Sequence, residues 1–116
     1  MGITILQISD PHLMSQTDGQ VHGIRPYDTL RSVLGAARSI HGTPEHVVFS
    51  GDLSQEHTEM GYRHLANALH DWIECSSFVP GNHDDRQELI KVFPQPKSNA
   101  TCVTFRVTAG EWQIIG

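Results

Sequence analysis

Runs of lysine or arginine are missing from these 116 residues, and 13 acidic side chains outnumber 8 basic ones for a net charge of −5. A nucleic-acid surface needs a basic stripe, so nucleic acid is not the expected partner. Also missing is any apolar run approaching the ~20 residues that cross a bilayer. Met1-Gly2-Ile3-Thr4 has no basic region ahead of an apolar stretch, which argues against a secretory signal. Gly2 does not open a myristoylation motif, because Leu6 stands where Ser or Thr is required. These absences predict a cytoplasmic protein with no membrane partner. Cysteine is scarce: Cys75 and Cys102 have no short metal-ligand spacing, and a reduced, partly buried pair is expected. Internal repeats and low-complexity segments are absent.

What is present fits one small globular domain. Hydrophobic residues make up 38% and charged residues 18% of the chain, enough apolar content to pack a core. Eight histidines are spread along it, at 12, 22, 41, 46, 57, 64, 70 and 83. Only His12 and His83 fall inside motifs. His22 reads as a surface-loop residue, and no pair among His57, His64 and His70 has the i, i+4 spacing of a helical zinc site.

Apolar patterning predicts an α/β order, β-α-β-α-β-α-β-β. Ile3–Ile8 is apolar on both faces, as in a central strand covered by helices. After a loop over 13–24, Pro26 opens a helix whose stripe is Tyr27, Leu30, Val33, Leu34, Ala37 and Ile40, ended by His41-Gly42. Val47-Val48-Phe49 is a buried strand. A second helix starts near Thr58 as N-cap, with Tyr62, Leu65, Leu69, Trp72 and Ile73 as its stripe. Phe78-Val79 is a third strand, and a short helix covers roughly Arg86 to Val92. Cys102–Thr108, the turn Ala109-Gly110 and Trp112–Ile115 form a hairpin. Helices between strands imply a mostly parallel sheet with right-handed crossovers.

Three motifs follow the three buried strands: Asp10-Pro11-His12, Gly51-Asp52 and Gly81-Asn82-His83-Asp84. The carboxyl end of a parallel sheet is where α/β proteins build their sites. In an extended segment Asp10 and His12 would point to one side and reach one metal ion. Asp52 would enter from the next strand, and its two oxygens could bridge two cations. Asn82 offers a neutral carbonyl oxygen. His83 can donate to a phosphoryl oxygen or give a proton to a leaving alkoxide. Asp84 is expected either to fix the His83 imidazole from an outer shell or to cap the helix at Arg86. Taken singly, Asp10-Pro11-His12 and Gly51-Asp52 read better as ordinary turns, and Gly81-Asn82-His83-Asp84 is the strongest signal of the three.

Together and in this order, the motifs resemble the N-terminal half of a calcineurin-like metallophosphoesterase. Within that superfamily the chain is most similar to bacterial class III cyclic-nucleotide phosphodiesterases. The segments that carry this are Leu6–Leu13, Phe49–Gln55 and Val79–Arg86. The resemblance implies a four-layer αββα sandwich, of which residues 1–116 would be a partial domain lacking the C-terminal half. It implies Asp10 and His12 on a first metal, Asp52 bridging, Asn82 on a second, and His83 as phosphate contact and general acid. The cofactors would be two divalent or trivalent ions, iron, manganese or zinc, about 3.5–4 Å apart and holding a bridging hydroxide. The implied substrate is a small nucleotide, a 3′,5′-cyclic nucleotide such as cyclic AMP. The family's remaining three histidine ligands lie beyond the hairpin, whereas this sequence has no histidine after His83. Two other outcomes therefore stand beside the phosphodiesterase. One is an inert fragment or half-domain with weak metal binding, for which a homo-oligomer through open sheet edges is the candidate assembly. The other is a metallophosphoesterase for a different phosphodiester or phosphomonoester.

Overall fold

The predicted strands form where apolar runs stop at a motif, and their register brings the motif ends together. In the computed structural model, which describes residues 2–116, β1 (Ile5–Ile8), β2 (His46–Ser50) and β3 (Ser76–Val79) make a parallel sheet in the order β1-β2-β3. Ile8 lies opposite Phe49, and Ser50 opposite Val79. The three strands thus end together, and Asp10, Asp52 and Asn82 leave from one edge of the sheet. The crossovers are α1 (Pro26–His41) and α2 (Glu59–Leu69), and α3 (Arg86–Val92) follows β3. An antiparallel hairpin, β4 (Arg106–Ala109) and β5 (Trp112–Ile115), closes the order. Pairing of Phe105 with Gly116 in both directions lengthens that ladder. The fold is therefore α/β with a C-terminal hairpin, as expected, although β4 is shorter than Cys102–Thr108.

One core holds these elements. Val47 and Phe49 of β2 are fully buried against Leu30 and Leu34 of α1, Tyr62, Leu65 and Leu69 of α2, and Leu89 of α3. Phe78 stacks between Phe49 and Phe93, with ring centroids 5.2 and 3.9 Å away. Burial of each such side chain contributes roughly 1.5–3 kcal/mol, which makes this cluster the main stabilising term. Neither cysteine is in a disulfide: Cys75 is half-buried and Cys102 exposed.

Several expectations need correction. β2, not β1, is the central strand. β1 has β2 as its one neighbour among the described residues, so its outer side is open and Ile5 is 41% exposed. The α1 stripe is narrower than predicted, because Val33 and Ile40 turn to solvent. Thr58 occupies the N-cap position of α2, yet its hydroxyl makes no capping bond. Asp85, not Asp84, caps α3, accepting from Glu88 N at 3.0 Å.

The second helix also ends earlier than its pattern suggests. His70 takes a left-handed φ of 51°, and residues His70–Cys75 continue as a 3₁₀ turn. Arg38 of α1 explains the break. Its guanidinium donates to the carbonyls of Leu69 and Ala68 and lies 4.6 Å over the Trp72 ring. These bonds satisfy carbonyls that a continuing helix would have used. Trp72 is buried as predicted, but Ile73 is exposed.

Candidate metal centre

The loops after β1 and β2 are zipped together by backbone bonds. Asp10 N donates to Gly51 O, His12 N to Asp52 O, Leu13 N to Leu53 O, and Gln55 N to Leu13 O, all between 2.9 and 3.0 Å. This ladder holds Asp10, His12 and Asp52 in left-handed backbone, with φ of 58°, 47° and 51°. Such conformations cost of order 1–3 kcal/mol each in non-glycine residues and persist only where surroundings over-determine them. The expected extended arrangement of Asp10 and His12 is therefore replaced by two left-handed residues, which still turn both side chains the same way.

That convergence is tight. Asp10, His12 and Asp52 each offer a ligand atom, and all three atoms lie within 4.8 Å of one another. His12 Nε2 is 3.6 Å from Asp10 Oδ1 and 3.9 Å from Asp52 Oδ2. Nδ1–H of His12 donates to Gln55 Oε1 at 2.7 Å, which leaves the Nε2 lone pair facing the carboxylates. Ser9 Oγ–H donates to Asp10, and this bond is the main reason the Asp10 carboxyl sits below its ordinary range. Asp10 and His12 also line a groove of about 530 Å³ that runs along α1 past Ile24 and Val33.

The third loop adds an amide and an imidazole. Backbone N–H of His83 donates to Asp52 Oδ1 at 3.0 Å, locking that carboxylate. Gly81 has no side chain because a Cβ there would strike the Asp52 carboxylate. The Asn82 amide lies 3.1 and 3.2 Å from the two Asp52 oxygens. With its nitrogen turned inward it donates to both. With its oxygen inward it faces acceptors alone, an arrangement that requires a cation between them. The His83 ring is 5.3 Å from that of His12 and edge-on to it.

Asp84 does something other than orient His83. Its buried carboxylate accepts from Leu53 N, Ser54 N, Tyr62 Oη and Gly81 N at 2.8–3.1 Å. No acceptor capacity is left for the His83 ring. Asp84 is instead the clamp between the second and third motif loops. Burial, followed by the nearby Asp84 charge, pushes the Tyr62 hydroxyl well above its ordinary pKa, so it stays a donor.

Sequence reading missed Gln55, Tyr62 and His57. Tyr62 carries no motif signal of its own, and Gln55 closes the Phe49–Gln55 segment without a site role read from it. His57, whose backbone is left-handed with φ of 59°, stands parallel to the His83 ring with centroids 6.0 Å apart. His22 is exposed on a two-residue turn, as expected, and Arg86 is exposed at the start of α3.

The two carboxylates and one imidazole of Asp10, His12 and Asp52 could together hold a metal ion. The chain matches the model of the calcineurin-like phosphoesterase family over residues 3–112. It is 34% identical to a probable cyclic nucleotide phosphodiesterase of Colwellia psychrerythraea, over 97% of this chain and 42% of that protein. It is 29% identical to the 3′,5′-cyclic adenosine monophosphate phosphodiesterase CpdA of Escherichia coli K12, over 97% of this chain and 40% of that one. A probable cyclic nucleotide phosphodiesterase of Coxiella burnetii is 35% identical over 80% of this chain and 36% of its own length. The chain thus spans about two fifths of the length of these relatives. With a family match along nearly all of its residues and the three motif loops meeting at one carboxylate cluster, the chain belongs to the calcineurin-like phosphoesterase family.

Proposed function

We propose that this chain carries the front half of the metal centre of a cyclic-nucleotide phosphodiesterase that opens 3′,5′-cyclic AMP, and that residues 1–116 are a partial domain of it. The observation that carries this reading is the convergence of Asp10, His12 and Asp52 with the Asn82 amide packed against Asp52. Asp10 and His12 would hold one ion, Asn82 a second, and Asp52 both. Two such ions would neutralise phosphoryl charge and lower the pKa of water. His83, fixed through its backbone bond to Asp52, would donate to a phosphoryl oxygen and protonate the leaving ribose oxygen. Gln55 keeps His12 in the tautomer that ligates.

A second reading is favoured by one feature of the donor set. It contains a single imidazole, His12, so the chain by itself would bind metal weakly and turn nothing over. The deciding experiment is manganese-dependent conversion of 3′,5′-cyclic AMP to AMP by the purified chain, with Asp52→Asn as control and manganese binding measured alongside. Turnover lost in the variant supports the phosphodiesterase. Manganese binding without turnover supports the half-domain. Neither binding nor turnover would sink the metal reading altogether.

A further inference from the structure

Three imidazoles form a row that leads out of the carboxylate cluster. His12 is inside it, His83 is edge-on to His12 at 5.3 Å, and His57 is parallel to His83 at 6.0 Å. The first two have work to do in the proposed chemistry. The third has none, and among the exposed histidines of the described residues its ring is the one that lies parallel to a ring of the site. Its backbone is left-handed, with φ of 59°, on the short turn that leads from Gln55 into α2. Among the described residues its ring makes no hydrogen bond, and its one aromatic neighbour is His83. A planar ring held flat beside a site, exposed and unpaired, offers a stacking face.

We infer that His57 contacts substrate, stacking on the base of a nucleoside phosphate whose phosphoryl group is held at Asp10, His12, Asp52 and Asn82. The inference rests on the phosphoesterase reading above and deepens it. A phosphoryl group at the cluster touches His83, and the organic part of the ester must leave the site toward solvent. His57 is the next ring outward on that side. Imidazole against a nucleobase is a π-face contact that tolerates any base, so His57 sets a preference for nucleoside esters over simple alkyl esters. It acts on the part of the substrate remote from phosphorus and leaves metal binding alone.

The test is calorimetric titration of the full chain, manganese-loaded, with AMP, with ribose 5-phosphate and with inorganic phosphate. Because His57 is exposed, His57→Ala is expected to fold, which circular dichroism checks. Loss of one base-stacking contact predicts a Kd for AMP raised about tenfold. The Kd values for ribose 5-phosphate, phosphate and manganese stay as in the wild type, and His57→Phe restores AMP binding. AMP binding unchanged in His57→Ala would overturn the inference while leaving the phosphoesterase reading intact. Equal weakening of AMP and phosphate, or weakened manganese binding, would overturn it by placing His57 at the phosphoryl group or the metal. Failure of Phe to restore AMP binding would refute stacking. A wild-type chain that binds neither AMP nor phosphate with manganese present would instead refute the phosphoesterase reading, and the inference with it.

Discussion

Replacing Asp84 by Asn removes charge and one acceptor while barely changing shape. Oδ1 of Asp84 accepts from Leu53 N, Ser54 N and Tyr62 Oη; Oδ2 accepts from Gly81 N and shares Leu53 N. The better amide orientation keeps oxygen at Oδ1 and points NH₂ at the Gly81 N–H. That bond is lost and becomes a donor–donor contact, and the remaining bonds lose their charge assistance. Hydrogen bonds to charged groups contribute about 1.5–3 kcal/mol each, so the substitution should cost about 3 kcal/mol. That is a large share of the roughly 5–15 kcal/mol that keeps a domain folded. Urea unfolding measures it. Tyr62→Phe removes one of the same bonds and should cost about 1–2 kcal/mol. The double variant should cost less than the sum, because both changes break the Tyr62–Asp84 bond. Strict additivity, or a cost for Asp84→Asn under about 1 kcal/mol, would refute the clamp.

Gln55→Ala frees the His12 ring, and loss of such an outer partner should weaken manganese binding by roughly 10–100-fold while unfolding stability stays near wild type; calorimetry and urea titration read the two. Gly81→Ala drives a Cβ against the Asp52 carboxylate, so metal binding should be lost even where circular dichroism shows a folded chain. Burial holds the His46 pKa below its ordinary 6.5, so the unfolded chain binds more protons below that value and stability falls as pH drops through it. His46→Gln, which retains a partner for Ser77, should remove up to about 1.4 kcal/mol per pH unit of that slope; equal slopes from pH 6.5 to 5.5 would show that His46 charges freely in the fold.

The element order was legible because each apolar run ends in glycine, proline or a motif. Sheet order was not: Ile3–Ile8 is apolar enough for a central strand, and only pairing reveals which strands flank which. The end of α2 was hidden because Trp72 and Ile73 continue its spacing, while the break is made by Arg38, a residue 31 positions before Leu69. At the site, the motifs single out Asp10, His12 and Asp52, which the fold brings within reach of one metal ion. Their backbone could not be read, because left-handed φ at Asp10, His12 and Asp52 is imposed by bonds between loops distant in sequence. The same holds for Asp84. Its place beside His83 suggested an imidazole partner, and the fold directs it to amides of Leu53 and Ser54 instead.

The central claim is that the three motif loops build a metal site around Asp52. Calorimetric titration of manganese into the wild-type chain and Asp52→Asn tests it most directly. The account predicts saturable binding by the wild type and its loss in the variant, with the far-ultraviolet spectrum unchanged. Equal binding by both chains, or none by the wild type, would contradict it.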